Sequence, residues 1–173
     1  MKNLFSTLLL SFALVLMAEA QELPGLDKSP MDVAVYKMER TSPPLVKVYY
    51  SRPQKNDRKI FGGIVKMEEV WRTGANEATE IKFYQDTEFG GKEVEAGTYS
   101  LFTIPDDEKW TIILNSALDQ WGAYYYDKEK DVLRVEVDAQ ETDNTIEAFT
   151  IAFDNGQMIM AWDETMVAVP VKP

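Results

Sequence analysis

The sequence predicts an all-β fold: an antiparallel two-sheet β-sandwich of about ten short strands, with a β-barrel as the alternative. Three observations predict it. Short runs rich in β-branched and aromatic residues recur along the chain, several of them alternating polar and apolar. Nearly every run is followed by Gly, Pro, Asn or Asp, the residues that turns require. No stretch beyond the amino-terminal segment sustains the apolar period of a helix.

That segment stands apart. Met1-Lys2-Asn3 carries one positive side chain, Leu4 to Met17 is almost wholly apolar, and Ala18-Glu19-Ala20 places small residues before Gln21. The pattern reads as a secretory signal peptide over residues 1–20. The apolar run is shorter than the roughly 20 residues that span a bilayer. The expectation is export to the periplasm or beyond, with no membrane span in the mature form. No cysteine follows the run, so lipid attachment at a cysteine is excluded. Residues 21–30, with Pro24, Gly25 and Pro30, read as a flexible lead-in, and residues 31–173 as one β-sandwich domain.

The elements follow in order. Val33-Ala34-Val35-Tyr36 is a short strand candidate. Pro43-Pro44 forces extended backbone before Leu45 to Tyr50, a β-branched and aromatic strand that ends at Pro53. Ile64 to Glu69 reads as one helical turn or a loop. Glu80 to Tyr84 alternates, which puts Ile81 and Phe83 on one face. Gly90-Gly91 and Glu95-Ala96-Gly97 read as hairpin connections. Thr98 to Ile104 and Trp110 to Leu114 flank a charged loop. Val132 to Val137 alternates. Ile146 to Phe153 and Met158 to Trp162 flank Asp154-Asn155-Gly156, the clearest hairpin signal in the chain, and Thr165 to Val171 is a last strand.

Composition excludes several functions. The formal net charge is −11, with acidic residues scattered along the chain. Nucleic acids and anionic membranes favour basic patches, so neither is an expected partner. The chain has no cysteine and no histidine. That removes a cysteine nucleophile and a Ser-His-Asp triad, and it removes the usual zinc ligands. No Asp-x-Asp-x-Asp-Gly calcium loop occurs. The expectation is no metal and no cofactor.

Val70 to Thr79 is the most informative stretch, with an aromatic, a guanidinium, a small-residue bend, an amide and a carboxylate close together. Arg52, Arg58 and Arg72 sit at strand ends or turns. Their planar forks suit a carboxylate, phosphate or sulfate, or an internal carboxylate that braces a loop. Arg72 is the best of the three as a ligand contact, although a brace to Glu77 or another carboxylate is the expectation for it alone. Asn76 can cap the bend or bond a polar ligand. Glu77 is the candidate catalytic acid or base. A glycosidase would need a second carboxylate about 5 to 9 Å away, and Asp127, Asp163 and Glu69 are the candidates. Trp121 to Tyr126 is a second aromatic stretch. As a strand it would point Tyr124 and Tyr126 one way and Tyr125 the other. Tyr99 follows a turn glycine and suits either a ligand or a backbone bond of the corner type seen in sandwiches. The candidate ligand contacts are therefore Arg52, Arg58, Trp71, Arg72, Asn76, Tyr99, Trp121 and Tyr125. The Trp71 and Trp121 segments are expected to form walls of one cleft.

Several segments together resemble the bacterial "domain of unknown function 2911" family. They are Tyr50 to Pro53, Arg58 to Gly63, Val70 to Thr79, Ala96 to Pro105, Trp110 to Asn115 and Gln120 to Asp127, in order over most of the chain. The resemblance implies an exported, mostly β protein and supplies no catalytic assignment. The leading expectation is binding of a small polar or anionic ligand such as a carbohydrate. A hydrolase using Glu77 and a cell-envelope protein-interaction module are the alternatives.

Overall fold

The computed structural model describes residues 22–173. The signal-peptide reading of residues 1–20 and the first position of the lead-in lie outside the described residues. Nine strands are formed: β1 Met31–Tyr36, β2 Val46–Ser51, β3 Thr79–Phe83, β4 Thr87–Phe89, β5 Lys92–Val94, β6 Gly97–Ile104, β7 Lys109–Asn115, β8 Asp131–Asp154 and β9 Gln157–Lys172. The one helical element among the described residues is a 3-10 turn, Lys128–Lys130. The strands pair antiparallel in a single sheet of order β1-β2-β3-β6-β7-β8-β9-β4-β5.

The sheet does not close: β1 and β5 are both edges, so the barrel alternative is not formed. Pairing also runs without a break from one edge to the other. The long strands β8 and β9 carry it. The first part of β8 pairs with β7, and the remainder pairs with β9. Sequence reading divides each of these strands in two, at the polar stretches after Val137 and Trp162. The backbone instead absorbs those stretches as bulges. The register shifts between Glu141 and Ile146 and again between Ile146 and Thr150, and Asp163 takes a φ of 57°. A bulge takes up extra residues and bends a strand without ending it.

The far part of β8 also reaches back to β2. Phe149 N donates to Pro53 O at 2.9 Å, and Tyr50 Oη donates to Ile151 O at 3.2 Å. Residues from both ends of the sheet therefore share one core. Val46, Val48, Tyr50, Ile81 and Phe83 meet Phe149, Ile151, Met158, Met160 and Trp162 there. Full burial of side chains of this size stabilises by about 1.5–3 kcal/mol each. β6 and β7 are covered on their other face too. Phe102, Ile113 and Ala78 form a second cluster against which Val70, Ile104, Ala123 and Tyr126 pack. This explains the unbroken apolar runs in those two strands, and it anchors the residue 121–126 segment to the sheet.

Two tight turns follow directly from the sequence. Gly90 and Gly91 join β4 to β5 at φ 60° and 79°, and Asn155-Gly156 joins β8 to β9 at 47° and 73°. Positive φ at both central residues matches the right-handed twist of a hairpin. Among the described residues no helix is long and apolar enough to cross a membrane.

Candidate functional site

The site is built on the bend between Trp71 and Thr79. Trp71 and Thr103 of β6 exchange backbone bonds at 2.7 and 3.0 Å, which fixes the start of the bend. Thr79 Oγ1 donates to Thr73 O at 2.6 Å, and Thr73 Oγ1 lies 3.1 Å from Thr103 Oγ1. Gly74 is required by close approach: a Cβ there would lie 3.0 Å from Ser51 O. Trp71 is 8 % exposed, and its indole N–H donates to Gly74 O at 3.1 Å. Its ring stacks on Trp162 and meets Phe61, Trp110 and Phe149 edge-on. Trp71 is thus a core residue that shows only an edge to the surface. A ligand-binding wall was the expectation for it, but the core has claimed the ring.

The second segment lies beside this bend. Ala78 N donates to Gln120 O at 2.8 Å and Gly122 N to Asn76 O at 3.1 Å, so that Glu77 sits opposite Trp121 in a short bridge. Beyond it the chain turns rather than extending, with Tyr126 N donating to Ala123 O at 3.2 Å. The three tyrosines therefore do not alternate across a strand. Tyr126 packs on Phe102 at 5.1 Å between centroids. Its hydroxyl donates to Asp131 Oδ2 at 2.7 Å and accepts from Arg134 Nη2 at 2.5 Å. Burial, then the bond to Asp131, pushes the phenol up to about 12. Trp121, Tyr124 and Tyr125 are 56, 78 and 77 % exposed. Gly122 has φ 67°, and a Cβ on it would lie 3.0 Å from Tyr124 Cε2 and 3.6 Å from Arg72 Nη1. The absent side chain leaves room beside the turn for both the Tyr124 ring and the Arg72 guanidinium.

Two depressions flank this turn. The larger, of about 560 Å³, is lined by Ile64, Val65, Lys66, Glu69, Val70, Trp71, Arg72, Ala123 and Tyr124. The smaller, of about 310 Å³, is lined by Asp27, Ser29, Met31, Ser51, Asn76, Glu77 and Trp121. Each takes residues from both segments, so the expected single cleft is divided by the Gly122 turn.

Arg72 is the chemically distinctive residue. It is half-buried, and its Nε is buried with no hydrogen-bond partner, alone in this among the buried side-chain polar atoms of the described residues. No carboxylate of the described residues pairs with its guanidinium. The brace expected for Arg72 is therefore not made. Glu77, its expected partner, is exposed and faces the other depression. The other two arginines behave differently. Arg52 donates to Phe149 O at 3.1 Å, Asp32 Oδ2 at 3.0 Å and Thr150 Oγ1 at 2.8 Å, tying β1, β2 and β8 together. Arg58 donates to Lys55 O at 2.9 Å and to Gln54 O, closing its own turn.

Asn76, at φ 58°, donates from its amide to Asp27 Oδ1 at 3.0 Å. The Ser29 N–H, then the Asn76 amide, hold the Asp27 carboxyl below the usual carboxylate range. Tyr99 donates to Glu95 O at 3.1 Å, the local backbone bond of a corner tyrosine, and burial raises its phenol. The carboxylates considered as partners for Glu77 lie elsewhere. Glu69 lines the Arg72 depression, Asp163 pairs with Lys55 at 3.0 Å, and Asp127 caps the 3-10 turn by accepting from Glu129 N at 3.0 Å. Asp27 is the carboxylate that shares the Glu77 depression. Among the described residues no three acidic side chains gather to hold a metal.

Sequence reading missed Tyr124, Lys66 and Asp27. Gly122 inside the aromatic stretch is the signal for Tyr124, since a glycine there favours a turn. Asp27 had no such signal, because its contact with Asn76 spans the lead-in.

The fold and site define an all-β protein with an open antiparallel sheet and an arginine-bearing cleft on its surface. The chain belongs to the family described as "Protein of unknown function (DUF2911)", whose model matches residues 29–171. No curated protein matches the chain, and no solved structure matches it.

Proposed function

We propose that this protein is exported and binds a small anionic ligand, such as an acidic carbohydrate, with Arg72 as the anchoring contact. The observation that carries this reading is the buried Arg72 Nε, a charged donor with no acceptor from the described residues. Leaving a buried donor unsatisfied costs about 1–3 kcal/mol, and more for a charged group. An anion in the cleft would accept short charge-assisted bonds from the terminal nitrogens of the guanidinium, whose planar fork suits a carboxylate or sulfate. Tyr124 and Ala123 supply apolar wall beside it, with only the exposed edge of Trp71. The reading takes the two halves of the bent sheet as the layers of a sandwich, with the cleft on the outside of one layer. Export rests on the signal pattern before Gln21.

The test is thermal unfolding of purified protein with sulfate, acetate or galacturonate added at constant ionic strength. A ligand that binds only the folded state raises the melting temperature with its concentration. The expected result is a rise with at least one anion that Arg72→Ala abolishes. No rise with any of them in the wild type would overturn the reading. For export, the intact mass of protein recovered from the periplasm or medium should begin at Gln21. A mass retaining Leu4 to Met17 would contradict it.

A further inference from the structure

We infer that the two depressions on either side of Gly122 are adjacent subsites for one acidic oligosaccharide. A uronate carboxylate would sit on Arg72 and the next sugar ring on Trp121. The inference deepens the proposed function and rests on it.

Three observations support it. First, the depressions share one ridge. Trp121 lines the smaller and Ala123 and Tyr124 the larger, with Gly122 between them in the chain. A ligand crossing the turn would touch both. Second, the ridge carries three strongly exposed aromatic side chains, Trp121, Tyr124 and Tyr125, in a protein that buries its other three tryptophans. Sugar rings present flat C–H faces that stack on such rings, and amphipathic aromatics suit a surface that must also face water. Third, the polar groups divide. The larger depression holds the cations Arg72 and Lys66 beside one carboxylate, Glu69, whereas the smaller holds no cation and carries Glu77, Asp27 and the Asn76 amide that bonds Asp27. A cationic end suits an acid group, and an amide beside a carboxylate suits neutral hydroxyls. Both volumes, about 560 and 310 Å³, fall in the range of ligand sites. The net charge of −11 disfavours long runs of repeated anions, nucleic acid among them, so the acid group is confined to the subsite that holds Arg72 and Lys66.

Joining two subsites by a linked ligand makes the second contact intramolecular and multiplies affinity. The test is titration calorimetry of the full mature chain with galacturonate, an acidic tetramer that alternates galacturonate with a neutral sugar, and a neutral glucose tetramer. The acidic tetramer should bind about tenfold or more tightly than the monomer, and the neutral tetramer about tenfold or more weakly than the acidic one. Trp121→Ala should bring the tetramer-to-monomer ratio close to one, with its melting temperature showing that it folds. Arg72→Lys should weaken both acidic ligands. A wild-type ratio near one, with the monomer still bound, would overturn the two-subsite inference and leave the anion cleft standing. An unchanged ratio in Trp121→Ala would also overturn it. Failure of galacturonate and sulfate to bind at all would overturn the anion reading and this inference together.

Discussion

Gly122 donates its backbone N–H to the carbonyl of Asn76 at 3.1 Å, and both residues hold positive φ, 67° and 58°. This contact places the aromatic turn beside the arginine-bearing bend. Left-handed backbone at a residue with a Cβ costs about 1–2 kcal/mol. Asn tolerates it, and glycine does so freely. Gly122→Ala should therefore destabilise the protein by about 1 kcal/mol and lower its melting temperature by roughly 2–4 °C. The new Cβ would also press on the Tyr124 ring, so ligand affinity should fall with stability. Calorimetric melting beside a binding titration checks both. Unchanged values would mean the turn is not built as described.

The two tryptophans of the paired segments should respond in opposite ways. Trp71 stacks on Trp162 with centroids 6.0 Å apart, inside the core. Trp71→Ala should cost about 3–5 kcal/mol in urea unfolding. Trp121 is mostly exposed, and Trp121→Ala should stay within about 0.5 kcal/mol of the wild type. Equal effects at the two positions would contradict the separation of core from surface.

This division shows what the sequence made legible. Hairpin turns at Gly90-Gly91 and Asn155-Gly156 were legible because positive φ has a strong local preference. Strand positions followed from alternation, as in β3, where Ile81 and Phe83 face the core. The continuity of β8 and β9 was not, because their bulges fall in polar stretches that read locally as breaks. At the site, the nearness of Trp71 and Trp121 segments could be argued from their shared chemistry. That Arg72 has no carboxylate partner among the described residues could not, since its neighbours are set by the fold and the Gly122 turn rather than by chain proximity. Trp71 was the converse case: a motif aromatic whose ring the core had already taken.

The Tyr126 phenol supplies a pH signature. Its folded value, about 12, lies above the ordinary value of 10.0. The folded state therefore holds its proton where the unfolded state has lost it. Its contribution to stability is full below pH 10 and is lost as pH rises toward 12. Tyr126→Phe should flatten the fall in melting temperature over that window. In an ultraviolet titration of the folded protein, one phenolate signal absent from Tyr126→Phe should appear only near pH 12. Its appearance near pH 10 would refute the burial of the phenol and its bond to Asp131.

Arg52 provides the contrast for Arg72. It bonds Phe149 O, Asp32 and Thr150, so Arg52→Ala leaves several partners unpaired. The expected cost is about 1–3 kcal/mol in denaturant unfolding, with no loss of anion binding at the cleft. A neutral result would mean that the tie between β2 and β8 does not depend on this side chain.

The most direct measurement is the unfolding free energy of Arg72→Ala, taken with and without saturating galacturonate. Arg72 makes no ion pair among the described residues and leaves its buried Nε unsatisfied, so Arg72→Ala should cost no more than about 0.5 kcal/mol, or stabilise the free protein, while the stabilisation by galacturonate disappears. A loss of about 3–5 kcal/mol in the absence of ligand, the signature of a broken buried ion pair, would contradict the account.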